Sequence, residues 1–273
     1  MRFLFLAAVS LLAAPALAGA EQGALVVVLD PGHGGRFPHD GARGPRGLRE
    51  KSIALSVSLK TKEVLEAAGA TVILTRDKDE DISLPERVRI ANEAGADLFL
   101  SIHCNSMETG EDRKVTRGVE TYFLSPDPTD AEAKMLAALE NGGPDAVPIP
   151  RHADTVTGIL ADLSLGQARN DSAALAEIVQ RHMIRGTWAI SRGVRQAPLL
   201  VLWGTKMPSA LVEIGFISHP QEGRKLSREK YQAQIAKALA NGVRDFAEQV
   251  LARRLFAQVK EPALKVATPA PAR

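Results

Sequence analysis

Four side chains in this sequence are of the types that build hydrolytic metal centres. His33 lies in the segment DPGHGG and His103 lies in SIHCNS. Glu50 lies in GLREKS and Glu213 lies in LVEIGF. Two imidazoles and one carboxylate with an open fourth position form the shell of many catalytic zinc sites. Such a metal activates water, and a second carboxylate outside the shell can accept the proton of that water. The residue types therefore predict metal-assisted hydrolysis, with Glu213 as the available base.

The residues alone leave the ligand set open. A histidine that follows a strand is more often structural than a ligand, and these side chains are widely separated in the sequence. His39 lies in the same loop as His33 and is an alternative ligand. The glycines that flank His33 suit a turn in which the backbone approaches a metal or a substrate closely.

Apolar runs that end near these residues predict the strands that position them. The predicted strands are 24–30, 71–74, 97–102, 118–124, 199–202 and 210–214. His33 and His103 follow strands, and Glu213 lies at a strand end, which is the edge of an open α/β sheet where sites form. Glu50 precedes a predicted helix, where the helix dipole favours a carboxylate.

Amphipathic helices alternate with these strands. The spacing of apolar residues predicts helices over 51–68, 84–94, 130–140, 153–162, 171–190 and 231–250. Ser83, followed three residues later by Glu86, is typical of a capping box. The alternation predicts an α/β fold with a mixed, mostly parallel sheet flanked by helices on both faces. Residues 126–170 are interpreted as a helical insertion, because the connection is long for a simple crossover.

Composition and the chain ends narrow the class of protein. The sequence is 45% hydrophobic and 24% charged, with a formal net charge of +2. This balance does not indicate a nucleic-acid partner. Residues 1–20 have the layout of a cleaved secretory signal, and their apolar run is short for a bilayer, so no stable membrane insertion is expected. We expect an exported monomer with a catalytic domain over 21–252 and a disordered tail over 253–273.

The remaining cysteine and histidines are interpreted as structural. Cys104 is the single cysteine, which excludes an internal disulfide. As the neighbour of His103 on a strand, it is expected to face the opposite side and to pack in the core. His182 falls on an apolar helix stripe, and His219 is expected in a surface turn. His152 has no motif around it.

Seven stretches of the sequence resemble, in order, the zinc-dependent N-acetylmuramoyl-L-alanine amidases that act in cell division. They are VVVLDPGHGG, GLREKSIAL, GATVILTRDKD, LPERVRIANEAGADLFLSIHCNS, GVETYFLS, MPSALVEIGFISHP and the final helix. The resemblance runs from about residue 25 to 250. It implies one Zn²⁺ ion held by His33, Glu50 and His103, with Glu213 as the catalytic carboxylate. The implied reaction is hydrolysis of the amide between N-acetylmuramic acid and L-alanine of peptidoglycan, in wall remodelling and daughter-cell separation.

The resemblance also gives the insertion a regulatory interpretation. Division amidases of diderm bacteria carry a helix here that covers the cleft, with a glutamate that caps the zinc. AKMLAALENGG resembles that helix, which makes Glu140 the implied fourth ligand of an inactive state. The alternative is an amphipathic helix that ends in a solvated glutamate. The family further implies an activator protein of the LytM-domain type and a periplasmic location, with export to a thick wall as the alternative.

Two other functions fit the same residues. A zinc peptidase that cuts inside the stem peptide would use the same metal chemistry on another amide. A wall-binding activator without catalysis would keep the fold, but the presence of all four site residues favours an enzyme.

Overall fold

The structure is a computed structural model that describes residues 24–108, 110–142 and 156–251, without the side chains of 156–168. The predicted signal peptide, the predicted C-terminal tail and His152 lie outside the described residues. The described strands are β1 (Val26–Pro31), β2 (Thr71–Leu74), β3 (Leu98–Asn105), β4 (Val119–Leu124), β5 (Ser191–Ala197) and β6 (Ser209–Phe216). They form one sheet in the order β2-β1-β3-β6-β4-β5. All neighbouring strands pair in parallel except β4 and β6, which pair antiparallel.

Helices cover both faces of this sheet. They are α1 (Glu50–Ala67), α2 (Leu84–Glu93), α3 (Asp112–Val115), α4 (Ala131–Glu140), α5 (Val156–Thr187), α6 (Pro220–Leu226) and α7 (Glu229–Phe246). On one face, α1, α5 and α7 share a core with alternate residues of the central strands. On the other face, α2 and α4 share a second core with the residues between them, such as Phe99 and Leu211. This second face is called the site face below. The predicted mixed α/β fold is confirmed.

Period-two alternation decides which side chains reach the site face. Phe99, Tyr122 and Leu211 pack in the core of this face. His103 and Glu213 stand an even number of residues from Phe99 and Leu211, so they lie on the same face. Both lie within strands, whereas the sequence predicted them at or beyond strand ends, because β3 and β6 extend further than their apolar runs.

Three other sequence predictions are wrong in detail. Residues 199–202 were predicted as a strand, but Leu200–Leu202 is a 3₁₀ turn, and Leu199, Val201 and Leu202 fill the site-face core. The strand is β5 instead, whose sequence SRGVRQA is polar because it is an edge strand. The helices predicted at 153–162 and 171–190 are one helix, α5. The predicted capping box is absent, since the Ser83 side chain makes no cap bond at the start of α2 and the Glu86 side chain pairs with Arg89.

Two buried arginines hold the loop that follows β1. The guanidinium of Arg87 donates to Asp30 Oδ1 at 2.7 Å, to the Pro31 carbonyl at 2.9 Å and to the His33 carbonyl at 3.0 Å. Arg76 donates to the Pro31 carbonyl at 2.9 Å and to the Gly32 carbonyl at 2.8 Å. The loop carbonyls around His33 are therefore fixed by charged donors that are themselves almost fully buried.

No described helix has the length and apolar character that a membrane crossing requires.

The Arg87–Asp30 pair yields a stability prediction. Arg87→Met removes the partner of a fully buried carboxylate, which should lower the free energy of unfolding by about 3–5 kcal/mol. Arg89→Met is the matched control on the same helix, because Arg89 forms only exposed pairs with Glu86 and Glu93, so its loss should change the free energy of unfolding far less. Urea denaturation of both variants measures the difference. Equal decreases in the free energy of unfolding of the two variants would show that the buried Arg87–Asp30 pair contributes no more to stability than an exposed pair.

Candidate metal centre

Four side chains from separate parts of the chain converge on the site face. His33, Glu50, His103 and Glu140 each offer one ligand atom, and these atoms all lie within 4.8 Å of one another. The two imidazole rings meet edge to face, with centroids 4.9 Å apart. The structure thus brings the three sequence-predicted ligands together and places the predicted capping glutamate with them.

Glu50 is fixed at the first position of α1. Its Oε2 accepts a hydrogen bond from the Ala42 amide at 2.7 Å, and its Oε1 accepts one from the Cys104 amide at 2.9 Å. The side chain is 2% exposed. Backbone donors on both oxygens aim the carboxylate between the two histidines. Burial opposes its charged form, but His33 and His103 lower the pKa of Glu50 well below its usual range.

His33 sits in a turn that needs unusual backbone angles. Its own φ is +57°, and Gly34 and Gly35 follow with φ of +143° and +65°. A non-glycine residue seldom takes the left-handed conformation, so its presence at a predicted ligand fits a functional constraint. The Arg87 bond to the His33 carbonyl supports this conformation.

His103 points across the sheet toward the same centre. A Cβ atom on Gly32 would lie 2.5 Å from His103 Cε1, far inside contact distance. Glycine at position 32 is therefore required for the ring to occupy its place beside the β1 loop.

Glu140 is the last residue of α4, and its carboxylate completes the cluster. Its Oε2 lies 2.9 Å from His103 Nδ1 and 3.2 Å from His33 Nε2. Glu50 lies at similar distances, with Oε1 3.2 Å from His103 Nδ1 and Oε2 3.3 Å from His33 Nε2. Tetrahedral ligands about 2.0–2.2 Å from an ion lie roughly 3.3–3.6 Å apart, so the cluster is close to the size of such a shell.

Charge compensation dominates this cluster. Burial opposes protonation of the imidazoles, but Glu50 and Glu140 raise the pKa of His33 well above its usual range. Burial likewise opposes the charged form of His103, and Glu140 raises its pKa to about 10. Burial disfavours the Glu140 carboxylate, while His103 and His33 lower its pKa to about 2. The two carboxylates are thus stabilised by positive charge between them, which either protons on the imidazoles or a metal cation can supply. Binding of a metal would release those protons.

The donor set fits a divalent transition metal. The buried His33 Nε2 atom has no partner with hydrogen-bond geometry among the described residues, although two carboxylates lie near it. Imidazole nitrogens with carboxylate oxygens suit zinc and its neighbours better than the hard cations, which prefer oxygen alone.

Glu213 lies directly beside this cluster. It pairs in register with His103 across β3 and β6, and it is fully buried. Neither of its carboxylate oxygens has a hydrogen-bond partner among the described residues. Burial raises the pKa of Glu213 well above its usual range against the opposing effect of His103, and Glu140 adds to the rise. A buried carboxyl with free oxygens and a raised pKa is typical of a proton carrier.

The other singled-out residues lie away from the centre. His39 is exposed and pairs with Asp81 at 2.7 Å, so the structure does not place it with the ligands. Cys104 packs in the core, and burial raises the pKa of its thiol. His182 bonds Asp245 at 2.9 Å. His219 was predicted in a surface turn, but it is buried and accepts from the Gln221 and Glu222 amides at the start of α6.

Sequence reasoning missed the residues that support the ligands. Asp30, Arg76 and Arg87 fix the His33 loop, and Glu120 stands opposite Glu213 on β4. Asp30, Arg76 and Glu120 each lie next to an apolar run of the sequence, and Arg87 lies in a helix. Charged residues at such positions are usually exposed to solvent, so the sequence alone did not single them out.

The fold and the cluster together define a class: an α/β protein with a candidate metal centre on one face of a mostly parallel sheet. The family model described as N-acetylmuramoyl-L-alanine amidase matches residues 27–245. The chain therefore belongs to the N-acetylmuramoyl-L-alanine amidase family, which confirms the resemblance found in the sequence.

Individual relatives agree with this assignment. The chain is 34% identical over 234 residues to N-acetylmuramoyl-L-alanine amidase AmiC of Neisseria meningitidis serogroup B, covering 84% of this chain and 54% of that protein. It is 33% identical over 226 residues to AmiA of Escherichia coli, covering 81% and 75%. The chain thus spans about half the length of the Neisseria relative. The solved structure of AmiC2 of Nostoc punctiforme matches with a TM-score of 0.62 and 30% identity, covering 82% of this chain and 98% of that chain.

The contact between Gly32 and His103 yields a prediction about metal binding. Gly32→Ala should displace the His103 ring and lower the bound divalent metal, measured by mass spectrometry of the dialysed protein, to well under one per chain. Gly110→Ala is the control, because a Cβ there meets no atom within 4 Å. Equal metal contents in the two variants would contradict the assigned position of His103.

Proposed function

We propose that this chain is a zinc-dependent amidase that hydrolyses the bond between N-acetylmuramic acid and L-alanine in peptidoglycan. One observation carries the proposal: three ligand side chains, His33, Glu50 and His103, converge beside the unpartnered carboxylate of Glu213. Zinc is the metal best suited to two imidazoles and one carboxylate in a hydrolase.

The residues around the ion divide the work. Bound Zn²⁺ supplies Lewis acidity, lowering the pKa of water and polarising the amide carbonyl. Glu213 takes a proton from the attacking water and passes it to the leaving nitrogen of L-alanine, because it is buried beside the cluster with both oxygens unpartnered and burial raises its pKa. Glu50, held by two backbone amides, keeps the ion in place between the rings.

The described state is proposed to be inactive. Glu140 lies against both histidines, so with a metal bound it would fill the position that water and the amide carbonyl need, and α4 would have to leave before substrate binds. The buried residues that α4 adds to the site-face core are two alanines and one leucine, namely Ala133, Ala137 and Leu136. A helix held by so little apolar surface can be displaced at modest cost.

An activator is proposed to remove α4. By family resemblance this partner is a protein with a LytM-type domain. The outer side of α4 supports a docking role, because Met135 and Leu139 are 61% and 49% exposed and stand four residues apart on one side of the helix. Exposed apolar pairs of this kind are suited to a protein partner.

The site of action is proposed from the same resemblance. A signal peptide over 1–20 would direct the catalytic domain, 21–252 with its regulatory insertion 126–170, to the periplasm of a diderm bacterium. The working protein is proposed to be a monomer.

Product analysis tests the reaction itself. Purified sacculi treated with zinc-loaded protein and activator should yield stem peptides with new L-alanine amino termini and glycan strands without peptides. A chelator should abolish the release. New amino termini at other residues would instead identify a peptidase, and no products from any preparation would favour a binding module.

The role of Glu213 yields a prediction about rate. Glu213→Gln should lower the activated rate by about 10²–10⁴-fold, because the amide cannot carry the proton. Zinc content should stay at one per chain, since Glu213 is not in the ligand cluster. Metal analysis and dye release from labelled sacculi measure both. Loss of zinc together with activity would assign Glu213 to the metal shell instead.

The role of Glu140 yields a prediction of the opposite sign. Glu140→Ala should raise the rate without activator by about tenfold or more, because the closed state loses its contact with the ion. Glu63→Ala, at an exposed position of α1, is the control and should leave the rate unchanged. An unchanged rate for Glu140→Ala would remove the capping role.

A further inference from the structure

A row of polar side chains crosses the site face from the candidate metal centre to the sheet edge. His103 on β3 is in register with Glu213 on β6, and Glu213 is in register with Glu120 on β4. Glu120 in turn lies opposite Gly193 on β5, between Arg192 and Arg195. Strands are about 4.8 Å apart, so the backbone of β5 lies roughly 10 Å from that of Glu213 on β6.

The two arginines are held in place by the sheet. Arg192 donates to the buried Glu120 carboxylate through Nε, and its guanidinium lies over the Phe216 ring at 5.3 Å. Arg195 approaches the same carboxylate at 3.7 Å. Glu120 also accepts from Tyr122 at 2.5 Å and Asn105 at 3.2 Å. The sheet therefore positions the Arg192 guanidinium independently of α4 and places the Arg195 guanidinium near the same carboxylate.

The remaining partners of the arginines come from α4. Arg195 Nη1 contacts both oxygens of Asp130 at 3.0 Å and Glu132 Oε2 at 3.0 Å. Arg192 Nη2 contacts Glu132 Oε2 at 2.7 Å. These two acids occupy the N-terminal end of the same helix whose last residue, Glu140, reaches the metal cluster.

Departure of α4 would change the net charge around Arg192 and Arg195. Glu120 supplies one negative charge to two guanidinium groups, so the loss of Asp130 and Glu132 leaves one positive charge in excess. Arg192 and Arg195 are 21% and 14% exposed, whereas Asp130 and Glu132 are 43% and 56% exposed. Half-exposed acids add little to the docking of a helix, yet they screen two largely buried cations.

We propose that Arg192 and Arg195 form a binding site for a carboxylate of the leaving peptide, and that Asp130 and Glu132 occupy this site in the closed state. The inference rests on the proposed function, since it places the peptide across the sheet from the metal centre. In the closed state, α4 then imitates the substrate twice: Glu140 lies at the ion and the two acids lie at the arginines.

The spacing fits a peptide chain. The guanidinium groups meet Glu120 on β4, which lies two strand spacings, or roughly 10 Å, from His103 on β3. An extended peptide advances about 3.3–3.6 Å per residue, so this distance corresponds to two or three residues beyond the cleaved amide. Paired guanidinium groups recognise a carboxylate with charge-assisted hydrogen bonds that a carboxamide cannot reproduce. The site would thus select peptides that carry a free carboxylate at the second or third residue.

A substrate comparison tests the proposal. The zinc-loaded Glu140→Ala protein is assayed on an N-acetylmuramoyl tripeptide with free carboxylates and on the same tripeptide with those groups as carboxamides. Adding Arg195→Gln should lower kcat/KM on the free carboxylate roughly tenfold or more beyond any effect that it has on the carboxamide. Arg181→Gln is the control, because Arg181 pairs with Asp245 on α7, away from this row. Equal effects of Arg195→Gln on both substrates, or no effect, would overturn the proposal.

A binding measurement separates this inference from the proposed function. If Glu140→Ala hydrolyses neither substrate, the amidase proposal fails, and calorimetry then decides the carboxylate site. The zinc-free Asp130→Ala, Glu132→Ala, Glu140→Ala protein should bind the N-acetylated free tripeptide roughly tenfold more tightly than the carboxamide form. This preference should vanish with Arg195→Gln. Equal affinity for the two peptides contradicts the site even if the enzyme is active.

Discussion

The repulsion between buried carboxylates is the constraint on which the site depends. Glu50, Glu140 and Glu213 lie together on one face of the sheet, and each is largely or fully buried. Like charges at this depth cannot all persist without positive charge between them. His33 and His103 supply it as protonated rings, or a metal ion supplies it with both rings neutral. Other contacts hold these charged groups in place. Backbone amides hold Glu50, buried arginines hold the loop that carries His33, and Gly32 leaves room for the His103 ring.

The same reasoning explains the position of α4. The helix adds a fourth ligand at one end and two acids at the other, so it neutralises the cluster and the arginines of β5 together. Its apolar contact is small, and its outer side exposes Met135 and Leu139. The helix is therefore held by charge mainly at Glu140, which is 13% exposed, and it remains accessible to a partner. In the proposed open state, departure of Glu140 would leave an open coordination position on a bound ion, and departure of the two acids would leave the proposed peptide site with excess positive charge.

The sequence was sufficient to predict the strands that are marked by apolar runs and the site residues that lie in recognisable motifs. Buried apolar runs predicted β1 and β3, and the motifs around His33, Glu50 and His103 predicted residues that the structure brings together. It was not sufficient where tertiary contacts override local pattern. The strand β5 is polar because its side chains meet α4 and solvent, while the apolar residues 199–202 form a turn because they fill a core. The direction of Glu140 and the row from Glu213 to Arg195 depend on register, which a single sequence does not contain.

Anomalous X-ray diffraction at the zinc edge, from crystals of the zinc-loaded protein without activator, tests the central claim most directly. The account predicts one strong peak bounded by His33 Nε2, His103 Nδ1, Glu50 and Glu140, each at about 2.0–2.2 Å. It requires Glu140, not water, in the fourth position. A peak elsewhere, no peak at full zinc loading, or a water in place of Glu140 would contradict it.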